Sequence, residues 1–197
     1  KRIAKANKLG ATGRVRFGQK LFIPGATEVR EIVPCRKAPV ELYRVQTDET
    51  TRVSLCRCNG EADAKGLEAL SEFAGPLKKP VPFQLDARVA ELLQKVANAY
   101  PGRRLEIVSG QRSVKPNQKN ESFHNKGRAI DFRVAGVPNR KLVEKVRSFE
   151  AGGVGYYPNS VFIHMDARDK PAYWVDYSRP GEKAIYGRAG MTNEEVE

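Results

Sequence analysis

Apolar residues recur at helical spacing in three segments of the chain, and a residue that favours a helix N-terminus precedes each segment. The candidate N-caps are Asp63, Asp86 and Asn139. The apolar positions of the three predicted helices are Leu67, Leu70 and Phe73; Val89, Leu92, Leu93 and Val96; and Leu142, Val143, Val146 and Phe149. Helix-breaking pairs follow the three patterns, at Gly75-Pro76, Pro101-Gly102 and Gly152-Gly153.

Shorter segments with alternating or β-branched residues predict strands between and after these helices. Val40–Val45 and Thr51–Leu55 flank a short polar turn and predict a β-hairpin. The other predicted strands are Leu105–Ser109, Ala129–Val134, Val154–Tyr156 and Val161–Met165. Loops separate the later strands where regular helix crossovers would be expected in a parallel sheet. The pattern therefore predicts an α+β fold with a central antiparallel sheet and flanking helices.

The length of the chain suggests one domain with a smaller appendage, since it has 197 residues and a domain has about 150. Residues 1–25 are too few to form a core of their own. This segment has helical character over Ile3–Leu9 and a predicted strand over Lys20–Ile23, which Pro24-Gly25 stops. The predicted organisation is a segment at 1–25, a linker at 26–37, the main domain at 38–187 and a C-terminal tail at 188–197.

The composition is that of a globular protein with a strong positive charge. Hydrophobic residues make up 40% of the chain and charged residues 29%, and the apolar runs are too short for a membrane-spanning helix. The net charge of +12 favours a polyanionic partner, such as a nucleic acid, an anionic membrane or an acidic wall polymer. Because the chain has no nucleic-acid-binding motif, we expect no nucleic-acid partner, and a basic nucleic-acid binder is kept only as an alternative.

The three cysteines leave two redox states open. Cys56 and Cys58 are too close in sequence to pair comfortably with each other. One disulfide from Cys35 to either of them is one possibility, and three reduced thiols are the other. A zinc site of the cysteine type would need a further ligand nearby, and both histidines lie far downstream.

The chain has only two histidines, and both lie near carboxylates. His124 precedes the predicted strand that contains Asp131, and His164 ends another apolar strand. Although single histidines in strands are often structural, pairing of these strands would bring two imidazoles and one carboxylate together. Such a set binds catalytic zinc and leaves the fourth position for water. Asp166 lies on the same strand face as His164, where it could act as a general base or hold the ligand histidine as a hydrogen-bond acceptor.

Four ordered motifs resemble the M15 metallopeptidases, and both histidines lie inside them. The motifs are Ser109-Gly110-Gln111-Arg112-Ser113; Ser122-Phe123-His124 with Gly127, Ala129 and Asp131; Gly153-Val154-Gly155-Tyr156-Tyr157-Pro158; and Phe162-Ile163-His164-Met165-Asp166. The likeness runs from about residue 38 to 187 and is greatest to the murein endopeptidase branch of the family. It implies a Hedgehog/DD-peptidase-like fold with one zinc site, and cleavage of peptide cross-links in peptidoglycan.

The resemblance also implies roles for individual residues. The zinc ligands that it implies are His124, Asp131 and His164. Asp166 is the candidate base, and Arg112 is expected to bind a substrate carboxylate, for which the planar guanidinium fork is suited. The residues themselves suggest further candidate substrate contacts, with two alternatives: Ser122 could instead cap its loop, and aromatic residues near a turn often only pack. These candidates are Ser122, Tyr156, Tyr157 and Trp174.

One position departs from the family pattern, because this chain has Val161 where many members carry a catalytic glutamate, three residues before the last histidine. The predicted function is a zinc-dependent peptidoglycan peptidase that cuts D-centre bonds in stem peptides or cross-links, as an endopeptidase in preference to a carboxypeptidase. A non-catalytic peptidoglycan-binding protein is the alternative. The expected location, in the periplasm or outside the cell, follows from the substrate class and not from any signal visible in the sequence.

A second resemblance concerns the N-terminal segment. Ile3-Ala4-Lys5-Ala6-Asn7, Val15 and Phe17-Gly18-Gln19-Lys20-Leu21-Phe22-Ile23-Pro24 resemble the second half of a LysM repeat. That family typically binds glycans that contain N-acetylglucosamine. The resemblance implies a partial LysM-like segment at residues 1–25.

Overall fold

A computed structural model of the protein describes residues 2–9, 21–25, 39–76, 83–111, 122–149 and 152–187. The chain divides into two compact units, Lys1–Ile32 and Val33–Glu197. The predicted linker at 26–37 and the predicted tail at 188–197 lie outside the described residues. Within the described ranges, no helix has the length and apolar character needed to cross a membrane.

The first unit begins with a short helix, α1 (Arg2–Ala6), that has no buried residue. The Asn7 side chain donates to the carbonyl oxygen of Phe22 at 2.6 Å and accepts from its backbone N–H at 2.5 Å. The helical character predicted over Ile3–Leu9 is present, but the helix ends at Ala6 and is shorter than predicted. The predicted strand is wrong over its described residues, because the backbone of Phe22 bonds to a side chain and not to a neighbouring strand. The predicted turn is confirmed at Gly25, which has φ +83°.

The second unit contains three helices and eight strands among its described residues. In chain order they are β1 (Val40–Arg44), β2 (Glu49–Val53), α2 (Ala64–Ala74), α3 (Ala87–Ala99), β3 (Leu105–Ser109), β4 (Ala129–Val134), α4 (Asn139–Arg147), β5 (Gly153–Tyr156), β6 (Ile163–Asp166), β7 (Ala172–Asp176) and β8 (Tyr186–Gly187). The α+β class predicted from the sequence is confirmed, although β7 and β8 were not predicted.

All eight strands form one sheet in the order β2-β1-β3-β4-β6-β5-β7-β8. The sheet is mixed and not purely antiparallel as predicted, because β1 pairs with β3, and β5 with β7, in parallel. In both cases an antiparallel pair, β1–β2 or β5–β6, uses one edge of its first strand. The other edge is then left for a later strand, which joins it in the same direction.

Aspartates begin two of the helices as predicted. The Asp63 side chain accepts from the backbone N–H of Gly66 before α2, and the Asp86 side chain accepts from that of Arg88 before α3. Each carboxylate satisfies a backbone donor that has no partner within its helix. The predicted ends of these helices, at Gly75 and before Pro101, are also confirmed.

The fourth helix begins and ends differently from the prediction. Pro138 occupies the N-cap position with no side-chain hydrogen bond, so Asn139 is the first helical residue and not the cap. The Asn139 side chain donates instead to the carbonyl oxygen of Ser160 at 3.3 Å. The helix ends at Arg147, before the predicted Gly152-Gly153 stop, because the backbone N–H of Ser148 already closes the last turn.

One cysteine is disulfide-bonded and one is free among the described residues. Cys58 is in a disulfide, whereas Cys56 is a half-buried free thiol whose pKa is raised by burial to about 11. Of the two predicted redox states, the structure therefore agrees with one disulfide and not with three reduced thiols. Cys35 lies outside the described residues.

The two faces of the sheet differ in chemistry. One face is apolar and forms a continuous core with the helices; its members from the middle strands include Leu105, Ile107, Ile130, Phe132, Val134, Ile163 and Met165. Helix α4 packs against β4, β5 and β6. The alternate residues share the opposite, polar face: Glu106, Asp131, Arg133, His164 and Asp166. Both histidine-containing motifs therefore meet on the polar face.

An irregularity in β3 shapes one edge of this polar face. Ser109 pairs with Asp131, and Val108 is an extra residue skipped in the register. Bulges of this kind redirect the chain and are common beside active sites. Here the bulge leads directly into Gly110, whose carbonyl oxygen reaches the cluster described next.

Candidate metal centre

Strand pairing brings the predicted metal-binding residues together. Asp131 on β4 lies directly opposite His164 on β6, and His124 comes from the turn before β4. The three side chains are buried, with exposed fractions of 1%, 7% and 3% respectively. One possible ligand atom from each lies within 4.8 Å of the others.

The turn that contains His124 fixes the orientation of its ring. The carbonyl oxygen of Ser122 accepts from the backbone N–H groups of Asn125 and Lys126 at 3.0 and 3.3 Å, which closes the turn. His124 Nδ1 lies 2.5 Å from the carbonyl oxygen of Gly110. Because a carbonyl oxygen only accepts, Nδ1 carries the proton, and the neutral ring has its lone pair on Nε2.

His164 is oriented through the opposite nitrogen. Its Nε2 lies 3.1 Å from Asp166 Oδ2, and its Nδ1 lies 2.9 Å from Asp131 Oδ1. When Nε2 donates to Asp166, the neutral ring has its lone pair on Nδ1. The lone pairs of the two histidines then face the same point.

The three facing atoms have the spacing of metal ligands. His124 Nε2, His164 Nδ1 and Asp131 Oδ1 are separated by 3.2, 3.3 and 2.9 Å. Atoms bound to one zinc ion at about 2.0–2.1 Å in tetrahedral geometry lie about 3.3–3.4 Å apart. Lone pairs this close in a buried site repel each other unless a positive charge lies between them. The donor atoms and their spacing therefore fit a divalent metal ion.

The carboxylates and imidazoles shift each other's pKa values. Burial raises the pKa of Asp131, but His124 and His164, when their rings are protonated, donate to its carboxylate, outweigh burial and hold that pKa well below its usual range. Burial lowers the pKa of His164, but Asp131 and Asp166 outweigh it, so the pKa of His164 is raised. The cluster is therefore suited to hold a cation, either a proton or a divalent metal ion.

Asp166 is fully buried, and both of its oxygens are bonded. Oδ1 accepts from the backbone N–H groups of Gly153 and Arg168, each at 3.0 Å. The Arg168 guanidinium binds both oxygens, at 2.6 Å for the shortest contact. Burial raises the pKa of Asp166, but His164 and Arg168 outweigh it and hold that pKa well below its usual range. A carboxylate held in this way accepts a proton poorly, so the geometry favours orientation of His164 over the predicted role as base.

Aromatic side chains border the cluster on the β7 side. Gly155 lies opposite His164 on β6 and opposite Trp174 on β7. The ring centres of His164 and Trp174 are 5.2 Å apart, and Trp174 Nε1 donates to the Tyr157 hydroxyl at 3.3 Å. A Cβ atom at Gly155 would meet the indole at 2.7 Å. Glycine thus allows Trp174 to lie over β5 beside the cluster.

The other predicted substrate contacts lie elsewhere. Tyr156 pairs with Ile163 and packs against the core. Strand alternation turns it to the apolar face, away from the ligand atoms, and its predicted substrate contact stays a prediction. Ser122 is exposed at the start of the histidine turn. Arg112 lies outside the described residues, so its predicted contact with a substrate carboxylate stays a prediction.

A charged group that the sequence analysis did not identify lies on the polar face beside Asp131. Glu106 pairs with Arg133 across β3 and β4. Arg133 Nε and Arg104 Nη2 lie 2.5 and 2.7 Å from its two carboxylate oxygens. Burial raises the pKa of Glu106, but the two guanidinium groups outweigh burial and lower it. The available signal was the alternation of charged with apolar residues in two predicted strands, with Glu106 in one and Asp131 and Arg133 in the other.

The fold and the cluster define an α+β protein with a buried His-Asp-His cluster, whose donor atoms fit a metal ion, at the centre of a polar sheet face. A family model of M15 peptidases, described as "Peptidoglycan L,D-endopeptidase MepK", matches residues 34–171. This range includes the three cluster residues and Asp166, and it ends just before β7. The chain belongs to this family, as the sequence motifs predicted.

Individual relatives have the same description. The chain is 45% identical over 71 residues to the "Probable peptidoglycan L,D-endopeptidase MepK" of Haemophilus influenzae. The matched residues make up 32% of this chain and 38% of the relative. The chain is 37% identical over 71 residues to the peptidoglycan L,D-endopeptidases MepK of Escherichia coli K12 and Shigella flexneri, covering 32% of this chain and 39% of each relative. The match thus spans less than two fifths of the length of these relatives.

Proposed function

We propose that the protein is a zinc-dependent peptidase of the cell envelope, periplasmic or secreted. Its proposed substrate is peptidoglycan, in which it hydrolyses D-centre peptide bonds of stem peptides or cross-links. Endopeptidase activity is preferred over carboxypeptidase activity because the family model and the relatives are described as endopeptidases. The proposed fold is the Hedgehog/DD-peptidase-like fold of the M15 family.

The convergence of three lone pairs in a buried site is the observation that supports this proposal best. The protonated ring nitrogens are directed to Gly110 and Asp166, which leaves the unprotonated nitrogens of His124 and His164 beside Asp131. Two imidazoles and one carboxylate, with one open position, are typical of catalytic zinc. When bound, the ion supplies Lewis acidity to a carbonyl group and activates water as a nucleophile.

The residues of the chain would orient the site and exclude water from it. Arg168 holds Asp166, and Asp166 holds the His164 ring in the tautomer that faces the ligand point. Trp174 and Tyr157 form an apolar wall on one side of the cluster. A substrate strand that lies on the polar face would pass between this wall and the charged group on β3 and β4.

Two further predicted residues complete the proposed site, and a separate segment is proposed to bind the glycan. Arg112 would bind the carboxylate next to the scissile bond, where a planar guanidinium can hold it with two hydrogen bonds. Ser122, which is exposed beside the cluster turn, would donate to the substrate backbone. The partial LysM-like segment at residues 1–25 would add a contact to the glycan.

A non-catalytic peptidoglycan-binding protein is the second candidate, and two observations favour it. Val161, at the position where many M15 members have a catalytic glutamate, is exposed and apolar. Asp166, the nearest substitute in the sequence, has both oxygens engaged. This candidate predicts that the protein binds sacculi and releases no product.

Digestion of purified sacculi, followed by mass spectrometry of the soluble products, distinguishes the two candidates. We expect the wild-type protein to contain about one zinc ion per chain and to release muropeptides whose masses identify the bond that is cut. His124→Ala should lose both the zinc and the activity. Lys126→Ala is the matched control, because Lys126 is exposed in the same turn, and it should retain both.

Two results would count against the proposed enzyme. Full turnover after the metal has been stripped and excluded would show that the reaction does not depend on the cluster. Retention of the zinc-loaded protein on sacculi without any released muropeptide would establish the binding protein.

A further inference from the structure

The polar face extends beyond the cluster into the group formed by Arg104, Glu106 and Arg133, here called the Arg–Glu–Arg group. Arg133 follows Asp131 by two residues on β4, so both side chains project from the same face, about 6.6 Å apart along the strand. The strand order places this group on the β3 side of the cluster, opposite the Trp174 wall on β7. On β3 the direct partner of Asp131 is Ser109, so the group lies two residues further along β4, and an extended substrate that crosses the cluster obliquely from the aromatic wall reaches it.

The centre of the group is a buried carboxylate. Glu106 is 6% exposed, whereas the side chains of Arg104 and Arg133 are 40% and 32% exposed. Because a buried carboxylate must be compensated by its partners, Glu106 ties both guanidinium groups to fixed positions. The Arg104 guanidinium also lies 4.3 Å from the centre of the Tyr43 ring, which restricts it further.

The group has one positive charge in excess and hydrogen-bond donors to offer. Two guanidinium groups face one carboxylate, so one positive charge is not neutralised within the group. Arg133 bonds to Glu106 through Nε, and its two terminal nitrogens have no partner among the residues that the structure describes. A guanidinium fixed in this way is prepared to bind a planar carboxylate.

We infer that the Arg–Glu–Arg group binds a second carboxylate of the substrate, on the side of the cluster away from Trp174. This inference rests on the proposed function and specifies the substrate further. The carboxylate is distinct from the one predicted for Arg112. In peptidoglycan stem peptides it comes from the glutamate residue or from the diaminopimelate residue, which share this chemistry.

Steady-state kinetics of Arg133→Gln on cross-linked muropeptide dimers test the inference. We expect KM to rise about tenfold, because one charge-assisted contact to the substrate is lost. We expect kcat to stay within about twofold and the metal content to stay unchanged, because the contact lies away from the reacting bond. Arg52→Gln is the matched control, since Arg52 forms a cross-strand pair with Glu41 on the same sheet face, and its KM should equal that of the wild type.

Amidated substrates identify the source of the carboxylate. Dimers amidated at the glutamate carboxyl are compared with dimers amidated at the diaminopimelate carboxyl. On the dimer whose amidation removes the carboxylate that the group binds, the wild type should have the raised KM that Arg133→Gln shows on unmodified dimers. On that dimer Arg133→Gln should raise KM no further. If Arg133→Gln raises KM equally on both amidated dimers, the group does not bind either carboxylate and the inference is wrong.

Other outcomes separate the inference from the proposed function. Equal KM values for Arg133→Gln and the wild type overturn the inference and leave the peptidase intact. Failure of the metal-loaded wild type to cut any dimer overturns both. If Arg133→Gln does not fold, Arg133→Lys serves instead, because it keeps the charge and loses the fork. We expect a KM increase of about three- to tenfold for the lysine variant, and an unchanged KM would overturn the inference.

Discussion

A series of contacts that ends at Arg168 determines the orientation of His164. Arg168 binds Asp166, and Asp166 accepts from His164 Nε2. The Arg168 guanidinium lies 4.9 Å from the centre of the Phe123 ring and 5.0 Å from that of the Trp174 ring. The Arg168 side chain, which holds the Asp166 carboxylate, is thus itself packed between two aromatic rings. Because the carboxylate is fixed, His164 keeps its proton on Nε2.

Asp166→Asn should weaken metal binding about 10- to 100-fold, because the loss of the carboxylate removes the charge that fixes the His164 tautomer. Competition with a chelator of known affinity measures this change. Asp169→Asn, at an exposed neighbouring position, is the control and should bind metal as the wild type does. If Asp166 were the general base, the substitution would lower kcat and leave the metal affinity unchanged, which would contradict the orienting role.

At the scale of the strands, one row of residues across the sheet assembles the site. Ser109, Asp131, His164, Gly155 and Trp174 are successive partners on β3, β4, β6, β5 and β7. Residues in such a row share one face, so the register alone brings the ligands beside the aromatic wall. A shift by one residue in any of these strands would turn its member to the core.

Gly155→Ala should displace Trp174 and destabilise the fold by about 1–3 kcal/mol, because the new methyl group would overlap the indole. The chain has a single tryptophan, so its fluorescence reports this movement without interference. We expect a shifted emission maximum, together with a lower midpoint in urea unfolding. An unchanged emission spectrum would show that the indole does not lie over β5.

Glu106→Gln should destabilise the protein at neutral pH by on the order of 1–3 kcal/mol, because a buried, charge-assisted contact is lost. The pKa of Glu106 is lowered in the folded protein. The ionised Glu106 side chain therefore stabilises the folded state fully at pH values above its unfolded pKa of about 4.3. This stabilisation is lost as the pH falls through the folded pKa. Urea unfolding of both proteins between pH 7 and pH 3 measures the difference, which should shrink at acidic pH.

The control for this pH dependence is Glu49→Gln, since Glu49 is exposed and its contacts are a hydrogen bond from the Thr47 hydroxyl and a long ion pair with Arg44, both at the surface. Its effect should be small at every pH. A difference between Glu106→Gln and the wild type that stays constant down to pH 3 would mean that the carboxylate charge does not stabilise the sheet.

At the scale of the whole molecule, the cluster and its surroundings belong to the second unit alone. All of the ligand, orienting and wall residues lie within Val33–Glu197. A chain that lacks residues 1–32 should therefore unfold cooperatively and bind about one metal ion, as measured by calorimetry and metal analysis. Loss of metal binding in the shortened chain, with the cluster residues intact, would show that the second unit does not form the site by itself.

The elements that depend on nearby residues were the most predictable. The β1–β2 hairpin, the aspartate caps of α2 and α3 and the strands that carry Asp131 and His164 all follow from local patterns. The start of α4 was mispredicted by one residue, because Pro138 takes the N-cap position although its side chain can accept no hydrogen bond. The two parallel strand pairs were missed because a strand's local pattern does not specify which later strand joins its free edge.

Residue types, strand alternation and motif spacing were enough to select His124, Asp131 and His164 and to place Asp166 beside them. They could not show which ring nitrogen of each histidine faces the ligand point, or that Asp166 is bound by Arg168. The ring of His124 is oriented by Gly110, 14 positions away, and the ligand point forms between His164 and Asp131, 33 positions apart. The contact of Arg168 with Asp166 spans only two positions, but the guanidinium is packed there between the rings of Phe123 and Trp174, which come from other parts of the sheet. Such contacts exist only after the strands have paired and the helices have closed the core, because until then no local interaction holds the groups together.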